Sequence, residues 1–455
     1  MENSRLLPGT RAFVMGLARS GAAVARLLLA HGVTVVVNER RDRQADEPEA
    51  VELERLGATV VFGGHPLSLL EPRPDFIVKN PGIPYSVPLL VKAAEQGIPI
   101  YTEIEIASWL TEAPIYAITG SNGKTTTTTL IGEILEHAGK EPVIAGNIGR
   151  VLSGVVEQVN PHQPIVLEVS SFQLLGTEHF HPKIAVLLNL YAAHLDYHGT
   201  MEDYAEAKWR LFRNLTSQDL AVLNFDQEMI RSRAEHLTSR VAWFSTKTEV
   251  PEGAFVRDAT LVVRHNGEEF PLISVASLAQ KGEHNLENSL AAAITALNAG
   301  ASREDVAHVL GTFRGVEHRL EWVRTLNGVD FYNDSKATNA QAALRALRSF
   351  AGNIVWLAGG LDRGDDFHEL DDDVRTRVKA AVVLGQSAKK VMEMCERAGV
   401  GQIVRAANLN EAVSMAHRLA EPGDVVLLSP ACASWDMFQS FEERGSMFKH
   451  LVHTL

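Results

Sequence analysis

A run of apolar residues that breaks at glycine and turns at once into a helix leaves a chain few folds, and residues 115–126 are such a run. Ile115-Tyr-Ala-Ile-Thr119 reads as a buried strand, Gly120-Ser121-Asn122-Gly123 as a loop, and Lys124-Thr125-Thr126 as the opening turn of a helix. Backbone N–H groups at that helix start lack partners within the helix, and with the helix dipole they favour a phosphate. Lys124 is then placed to reach the terminal phosphates of a nucleoside triphosphate, and the Thr125 hydroxyl to ligate Mg²⁺. One position departs from the full phosphate-loop pattern, which asks for glycine where this chain carries Ile118. A strand feeding a helix in this way is half of a βαβ unit, so the expected class is α/β with parallel sheets.

The same alternation recurs on both sides of the loop. Before it, Arg11–Met15, Val33–Val37, Thr59–Phe62, Phe76–Lys79 and Ile98–Tyr101 read as strands, with a turn at Gly16–Gly21 and a helix at Ala22–His31. After it, Ile165–Val169 and Ile184–Leu190 are strands, and Leu220–Leu272 is strand-rich, with Asn266-Gly267 marking a tight hairpin. An Ala-rich helix, Asn285–Ala299, stops at Gly300. Ile354–Leu357, Ala381–Leu384, Ile403–Arg405 and Val425–Leu428 then alternate with helices. A length of 455 residues suits about three domains, which we place at residues 1–103, 104–313 and 314–455. Gly311 and Gly315 at the second boundary suit closure of domains over bound substrates.

The formal charge of −13, from 43 basic and 56 acidic residues, argues against nucleic acid or an anionic membrane as partner. An anionic small substrate therefore needs a locally basic pocket. Cys395 and Cys432 are the only cysteines, which suits a reducing compartment and excludes a disulfide framework. No apolar run approaches the ~20 residues of a membrane span, and Met1–Thr10 has no apolar signal core. The chain is expected in the cytoplasm.

Candidate metal ligands follow from ATP, whose Mg²⁺ takes oxygen donors and few of them from protein. Glu168 closes the apolar strand Ile165–Val169, at the end where open parallel sheets present ligands. A lone acid there is costly unless used. The next strand leads into Tyr191-Ala-Ala-His194-Leu-Asp196. Taken alone, His194 reads as a capping or core histidine, and Lys208, on an amphipathic helix, as a solvated lysine.

These segments together resemble the Mur ligases. The resemblance is carried by Thr119–Thr126, Glu168-Val-Ser-Ser-Phe-Gln173, His194-Leu-Asp196, Ala207-Lys208, Gly282-Glu-His-Asn285, Glu317-His-Arg319 and Asn333-Asp-Ser-Lys-Ala-Thr-Asn339, in order over the whole chain. The ending Leu428-Ser-Pro-Ala-Cys-Ala-Ser434-Trp-Asp-Met-Phe438, followed by Phe441-Glu-Glu-Arg-Gly445, is most similar to the branch that adds D-glutamate.

The fold so implied is a Rossmann-like N-terminal domain for the UDP-sugar, a central mononucleotide-binding ATPase domain, and a Rossmann-like C-terminal domain for the amino acid. The implied reaction joins D-glutamate to UDP-N-acetylmuramoyl-L-alanine at the expense of ATP in peptidoglycan precursor synthesis, with two Mg²⁺ ions and a monomeric enzyme. Lys124, Thr125 and Glu168 would serve the phosphates and the first ion; His194 and a carbamylated Lys208 would serve the second. A carbamate suits Mg²⁺ because it presents anionic oxygens where an ammonium would repel the ion. Asn147 would lie near the reacting phosphate and substrate. Gly120–Thr126, Asn285, Asn288, His318, Arg319, Asp334 and Lys336 would contact ATP. The UDP-linked substrate would meet Gly16, Ala18, Arg19, Ser20, Gly21, Asn38, Glu39, Asn80, Gly82, Asn147 and Ser170. D-Glutamate would meet Thr338, Arg363, Ser434 and Phe441; some members carry Lys where this chain has Arg363. Cys432 and Phe438 read as packing residues.

Other readings are a ligase of the same superfamily with a different acceptor, folate included, and a nucleotide-sugar binder that has lost catalysis. The joint presence of Lys124, Glu168, His194 and Lys208 argues against the second. A motor-type ATPase lacks a track-binding surface in so acidic a chain. A dehydrogenase reading of Gly16–Gly21 fails at Ala18, where a dinucleotide fingerprint has glycine.

Overall fold

The computed structural model describes residues 9–44, 47–280 and 282–455. Most of the N-terminal stretch read above as lacking a leader lies outside them, as does the side chain of Asp196. Two compact units divide at Phe313 and Arg314.

The first unit carries two sheets. One has five parallel strands in the order Thr59–Phe62, Thr34–Glu39, Arg11–Met15, Phe76–Lys79 and Ile100–Tyr101. Val35, Val37, Val14 and Val78 pack on one face with the helix Arg19–Ala30, while Phe13, Met15 and Ile77 pack on the other against Leu89, Leu90 and Ala93 of Pro88–Glu95. Burial on both faces is what a parallel sheet requires. The helix begins at Arg19, three residues before the start read from sequence, so Arg19, Ser20 and Gly21 form its first turn. A Cβ on Gly21 would lie 1.9 Å from the Gly16 carbonyl oxygen. Gly21→Ala is therefore expected to reduce stability by about 2 kcal/mol, read from the urea midpoint.

The second sheet has nine strands in the order Glu268–Ser274, Thr260–His265, Gly253–Arg257, Arg240–Ser245, Leu220–Asn224, Ile184–Leu187, Ile115–Thr119, Ile165–Glu168 and Val143–Gly146. The strands from Gly253–Arg257 onward run parallel, and the remaining two are antiparallel. Asn266 and Gly267 both have positive φ, as the expected hairpin demands. Ile115–Thr119 is an interior strand, seventh in that order, and buried throughout, so its loop opens beside the carboxyl end of its parallel neighbour Ile165–Glu168.

The second unit has six strands, ordered Glu321–Leu326, Val329–Asn333, Val425–Leu428, Ile354–Ala358, Val378–Val383 and Gln402–Arg405. The first pair is an antiparallel hairpin and the rest are parallel. Cys432 is buried, and Phe438 packs partly buried against one face of this core.

Candidate active site

The helix Lys124–His137 starts from Gly123, whose φ of 80° lies in the left-handed region, and no side chain caps it. A Cβ on Gly123 would stand 2.2 Å from Asn288 Oδ1, and one on Gly120 2.9 Å from Leu188 Cβ. Asn288 also accepts a hydrogen bond from Thr127 Oγ1 at 3.2 Å and donates weakly to Asn285 Oδ1 at 3.5 Å. Asn288 thus sits against the phosphate loop, with Asn285 beside it. The loop's outer edge is fixed by Asn189, whose backbone oxygen accepts from Ser121 N–H at 2.9 Å and whose side chain accepts from Asn122 N–H at 2.9 Å. Lys124 Nζ donates to the Gly120 and Ser121 carbonyls at 2.9 and 3.1 Å.

Three predicted residues converge at the head of this helix. Thr125 Oγ1 donates to Glu168 Oε2 at 2.7 Å, and Asn147 Nδ2 donates to Glu168 Oε1 at 3.0 Å. Thr125 and Glu168 are buried, whereas Asn147 faces outward. Gly146 permits the approach: a Cβ there would meet the Glu168 carbonyl oxygen at 2.2 Å. Hydroxyl and carboxylate oxygens are hard donors of the kind Mg²⁺ prefers. Among the described residues no group of three or more His, Cys, Asp and Glu is set to hold a metal.

Lys208 corrects the reading of a solvated lysine. It is 1% exposed, on the helix Met201–Trp209 that Thr200 caps through Asp203 N–H. Its Nζ donates to the Gly120 carbonyl at 2.9 Å and stands 4.8 Å from the centre of the Tyr204 ring. Burial, reinforced by Lys124 and opposed by Glu168, pushes the Lys208 ammonium well below its ordinary range. His194 also departs from a core role. It is exposed, with φ of 56° at the start of the short helix Leu195–His198. Its ring lies 5.0 Å from Phe172 and 6.4 Å from Tyr204, centre to centre. Ser170 is engaged locally, as its side chain caps the turn Ser171–Leu174 in a reciprocal box with Gln173.

A cavity of about 540 Å³ opens at the carboxyl ends of the five-stranded sheet. Gly16, Ala18, Glu39, Asn80 and Gly82 line it, together with Arg40, His65 and Ile83. Arg19, Ser20 and Gly21 do not line it. Asn38 lies fully buried behind it, donating to the Val61 and Gly64 carbonyls at 3.1 and 2.9 Å and bonding the His65 ring. His65 was missed because it enters through Asn38, 27 positions away, with no local pattern to mark it. Glu39 Oε2 accepts from Leu17 N–H at 2.8 Å, which orients the carboxylate at the cavity wall.

In the second unit Asp334 is buried, accepting from Ser429 Oγ at 2.8 Å and Leu320 N–H at 3.2 Å. Burial raises its carboxyl to about 7. The acid holds its proton more tightly folded than unfolded, so stability should fall as pH rises from about 4 to about 7. Asp334→Asn removes that loss, because Ser429 can reverse its hydrogen bond. Urea midpoints of variant and parent should therefore diverge across this window and run parallel above it.

His318 is buried and bonded to Asn333 at 2.9 Å, and Gly445 makes room for its ring, since a Cβ there would meet Nδ1 at 2.2 Å. Arg319 is exposed. Lys336 Nζ stands 5.6 Å from the centre of the Phe441 ring, and Thr338 N–H bonds the Lys336 carbonyl at 2.9 Å. Arg444 was not foreseen as a contributor. Buried, it donates to Ser335 Oγ at 2.9 Å and to the Cys432 carbonyl at 3.2 Å, tying the Lys336 segment to the loop of Ser434. The Arg363 guanidinium lies 4.9 Å from the centre of the Trp435 ring, which is 65% exposed. A cavity of about 660 Å³ in this unit is lined by Gly385, Gln386, Arg405 and Asp436 among others. None of Thr338, Arg363, Ser434 and Phe441 lines it.

Known proteins match this arrangement along its length. Family models match residues 10–102 as a Mur ligase MurD-like N-terminal domain, 118–296 as a Mur ligase middle domain and 318–432 as a Mur ligase glutamate ligase domain. A protein of Geobacillus kaustophilus named UDP-N-acetylmuramoylalanine--D-glutamate ligase is 49% identical over 456 residues, covering all of both chains. One of the same name from Bacillus cereus is 49% identical over 442 residues, 97% of each. Among solved structures, a MurF ligase from Thermotoga maritima in complex with ADP aligns with a TM-score of 0.53 at 17% identity, covering 92% of this chain and 95% of that one.

Proposed function

The chain belongs to the Mur ligase family, and we propose that it joins D-glutamate to UDP-N-acetylmuramoyl-L-alanine with hydrolysis of ATP to ADP and phosphate. The observation that carries this reading is the meeting of Thr125, Glu168 and Asn147 beside the uncapped phosphate loop. The amino acid and the acceptor are those named by relatives at 49% identity. The five-stranded-sheet cavity is read as the UDP site. Thr338, Arg363, Ser434 and Phe441 are read as the D-glutamate site, and Asn285, Asn288, Asp334 and Lys336 as nucleotide contacts. The three domains are assigned to residues 1–103, 104–313 and 314–455, and the enzyme is assigned to the cytoplasm as a monomer. No helix among the described residues is long and apolar enough to cross a membrane.

The chemistry begins as the alanyl carboxylate attacks the γ-phosphorus of ATP, and ADP leaves. Lys124 and the loop N–H groups hold the phosphates in line, so positioning and electrostatics supply most of the rate. The acyl phosphate so formed is attacked by the D-glutamate amine. The tetrahedral intermediate then expels phosphate, and the ammonium proton passes to solvent. Mg²⁺, when bound, neutralises phosphate charge; Thr125 and Glu168 would hold one ion, and His194 with Lys208 the other.

Lys208 fits that role only after modification. Its neutral amine attacks CO₂ and loses a proton, which leaves a carbamate with anionic oxygens. The depressed proton affinity of Lys208 supports this step, because it raises the fraction of neutral amine.

An oxygen label tests the route. With ¹⁸O in the alanyl carboxylate, one labelled oxygen should appear in the released phosphate. Unlabelled phosphate would mean that no acyl phosphate forms.

A further inference from the structure

Lys79 ends the strand Phe76–Lys79 with 1% of its surface exposed. Its ammonium donates to three carbonyls of the turn that follows, those of Asn80 at 3.3 Å, Pro81 at 3.0 Å and Ile83 at 2.9 Å. It also stands 4.6 Å from the centre of the Tyr85 ring. Burial, with no carboxylate to offset it, lowers the ammonium to about 7. A buried cation paired only with carbonyls is costly, so packing alone gives no reason to place a lysine there.

The turn it holds supplies one wall of the cavity described above, through Asn80, Gly82 and Ile83. At its first residue the turn is pinned to the sheet by Asn80 N–H on the Met15 carbonyl at 2.9 Å. Asn80 Cβ faces Gly16, where an added Cβ would lie 3.0 Å away, so the two walls meet there without slack. Beyond Asn80 the carbonyls of Pro81 and Ile83 turn inward onto Lys79. Without the ammonium the Pro81 carbonyl loses this partner, and the Ile83 carbonyl keeps only the Tyr197 hydroxyl at 3.3 Å.

We propose that Lys79 is a positioning residue for the UDP-linked substrate: through its hydrogen bonds it gathers the Asn80–Ile83 turn into a fixed wall of the cavity. The inference rests on reading this cavity as the UDP site. Arg40 lines the same cavity and offers a diphosphate a cation there, in a chain whose overall charge is −13.

The test compares Lys79→Met with Lys79→Gln in the full-length enzyme. KM for UDP-N-acetylmuramoyl-L-alanine, KM for ATP, kcat and melting temperature are measured, with calorimetric binding of UDP to the parent as reference. Lys79→Met should raise KM for the UDP-linked substrate about tenfold, with kcat and KM for ATP unchanged. Lys79→Gln returns donors without charge and should recover part of that loss. A folded Lys79→Met enzyme with the parental KM would overturn the proposal. So would a fall in all kinetic constants together with the melting temperature, since that marks a general packing role. Failure of the parent to bind UDP or its muramoyl-alanine conjugate would instead overturn the assignment of the cavity.

Discussion

Lys208→Ala is expected to lower kcat by about 10²–10³-fold while the fold and the KM for the UDP-linked substrate persist. The nitrogen of Lys208 lies under the phosphate loop, 2.9 Å from the Gly120 carbonyl. A carbamate there would bring two anionic oxygens to the metal side of the γ-phosphate, whereas truncation leaves a void and no anion. The loss should therefore be partly reversed by added formate or acetate, which are small enough to enter and supply the missing carboxylate. Steady-state turnover with and without the acid reads this directly. A variant as active as its parent without rescue would show that Lys208 carries no carbamate of functional weight.

Glu168→Gln should cost a similar factor, about 10²–10³ in kcat, for a different reason. Both carboxylate oxygens accept hydrogen bonds, one from Thr125 and one from Asn147. The amide can accept only on its oxygen, so its NH₂ faces either the Thr125 hydroxyl, which can reverse, or the Asn147 amide, which cannot donate to it. If the NH₂ turns to Thr125, geometry persists and only charge is lost. The expected signature is a fall in kcat that rising Mg²⁺ partly restores, with an unchanged melting temperature. Full activity in Glu168→Gln would remove this carboxylate from the proposed metal site.

Much of the fold was legible because parallel sheets buried on both faces write themselves as short runs of Val, Ile and Leu. Arg11–Met15, Thr59–Phe62, Phe76–Lys79, Ile115–Thr119 and Val425–Leu428 stand within the bounds read from sequence. Val143–Gly146 was overlooked because an edge strand of four residues with only two fully buried positions has little apolar signal. The hairpin of Glu321–Leu326 and Val329–Asn333 was also missed, although Asn327-Gly328 between them carries the same paired positive φ as Asn266-Gly267. The strand beside it is half-exposed and charged, and that hid the pattern.

Of the candidate site, residues joined through the backbone were readable and residues joined through space were not. Thr125 and Glu168 stand at a helix start and a strand end, where topology directs them together, whereas Asn147 entered only through the resemblance because its strand Val143–Gly146 was overlooked. Lys208 lies on a helix whose periodicity marks no buried face at that position; its burial comes from Gly120 and Tyr204, the first of them 88 positions away. His65 and Arg444 belong to the same class, because each bonds a residue far along the chain. Ser170 is bonded locally, its side chain capping the turn that follows it.

The central claim is the identity of the two substrates, and phosphate release tests it most directly. Purified enzyme with ATP, Mg²⁺ and UDP-N-acetylmuramoyl-L-alanine would be offered D-glutamate, L-glutamate, L-alanine, L-lysine and diaminopimelate in turn, with product mass recorded. Release with D-glutamate alone, together with a product of the mass of the ligated amide, is the predicted result. Release with another amino acid in its place, or none with any while ATP still binds, would contradict the account.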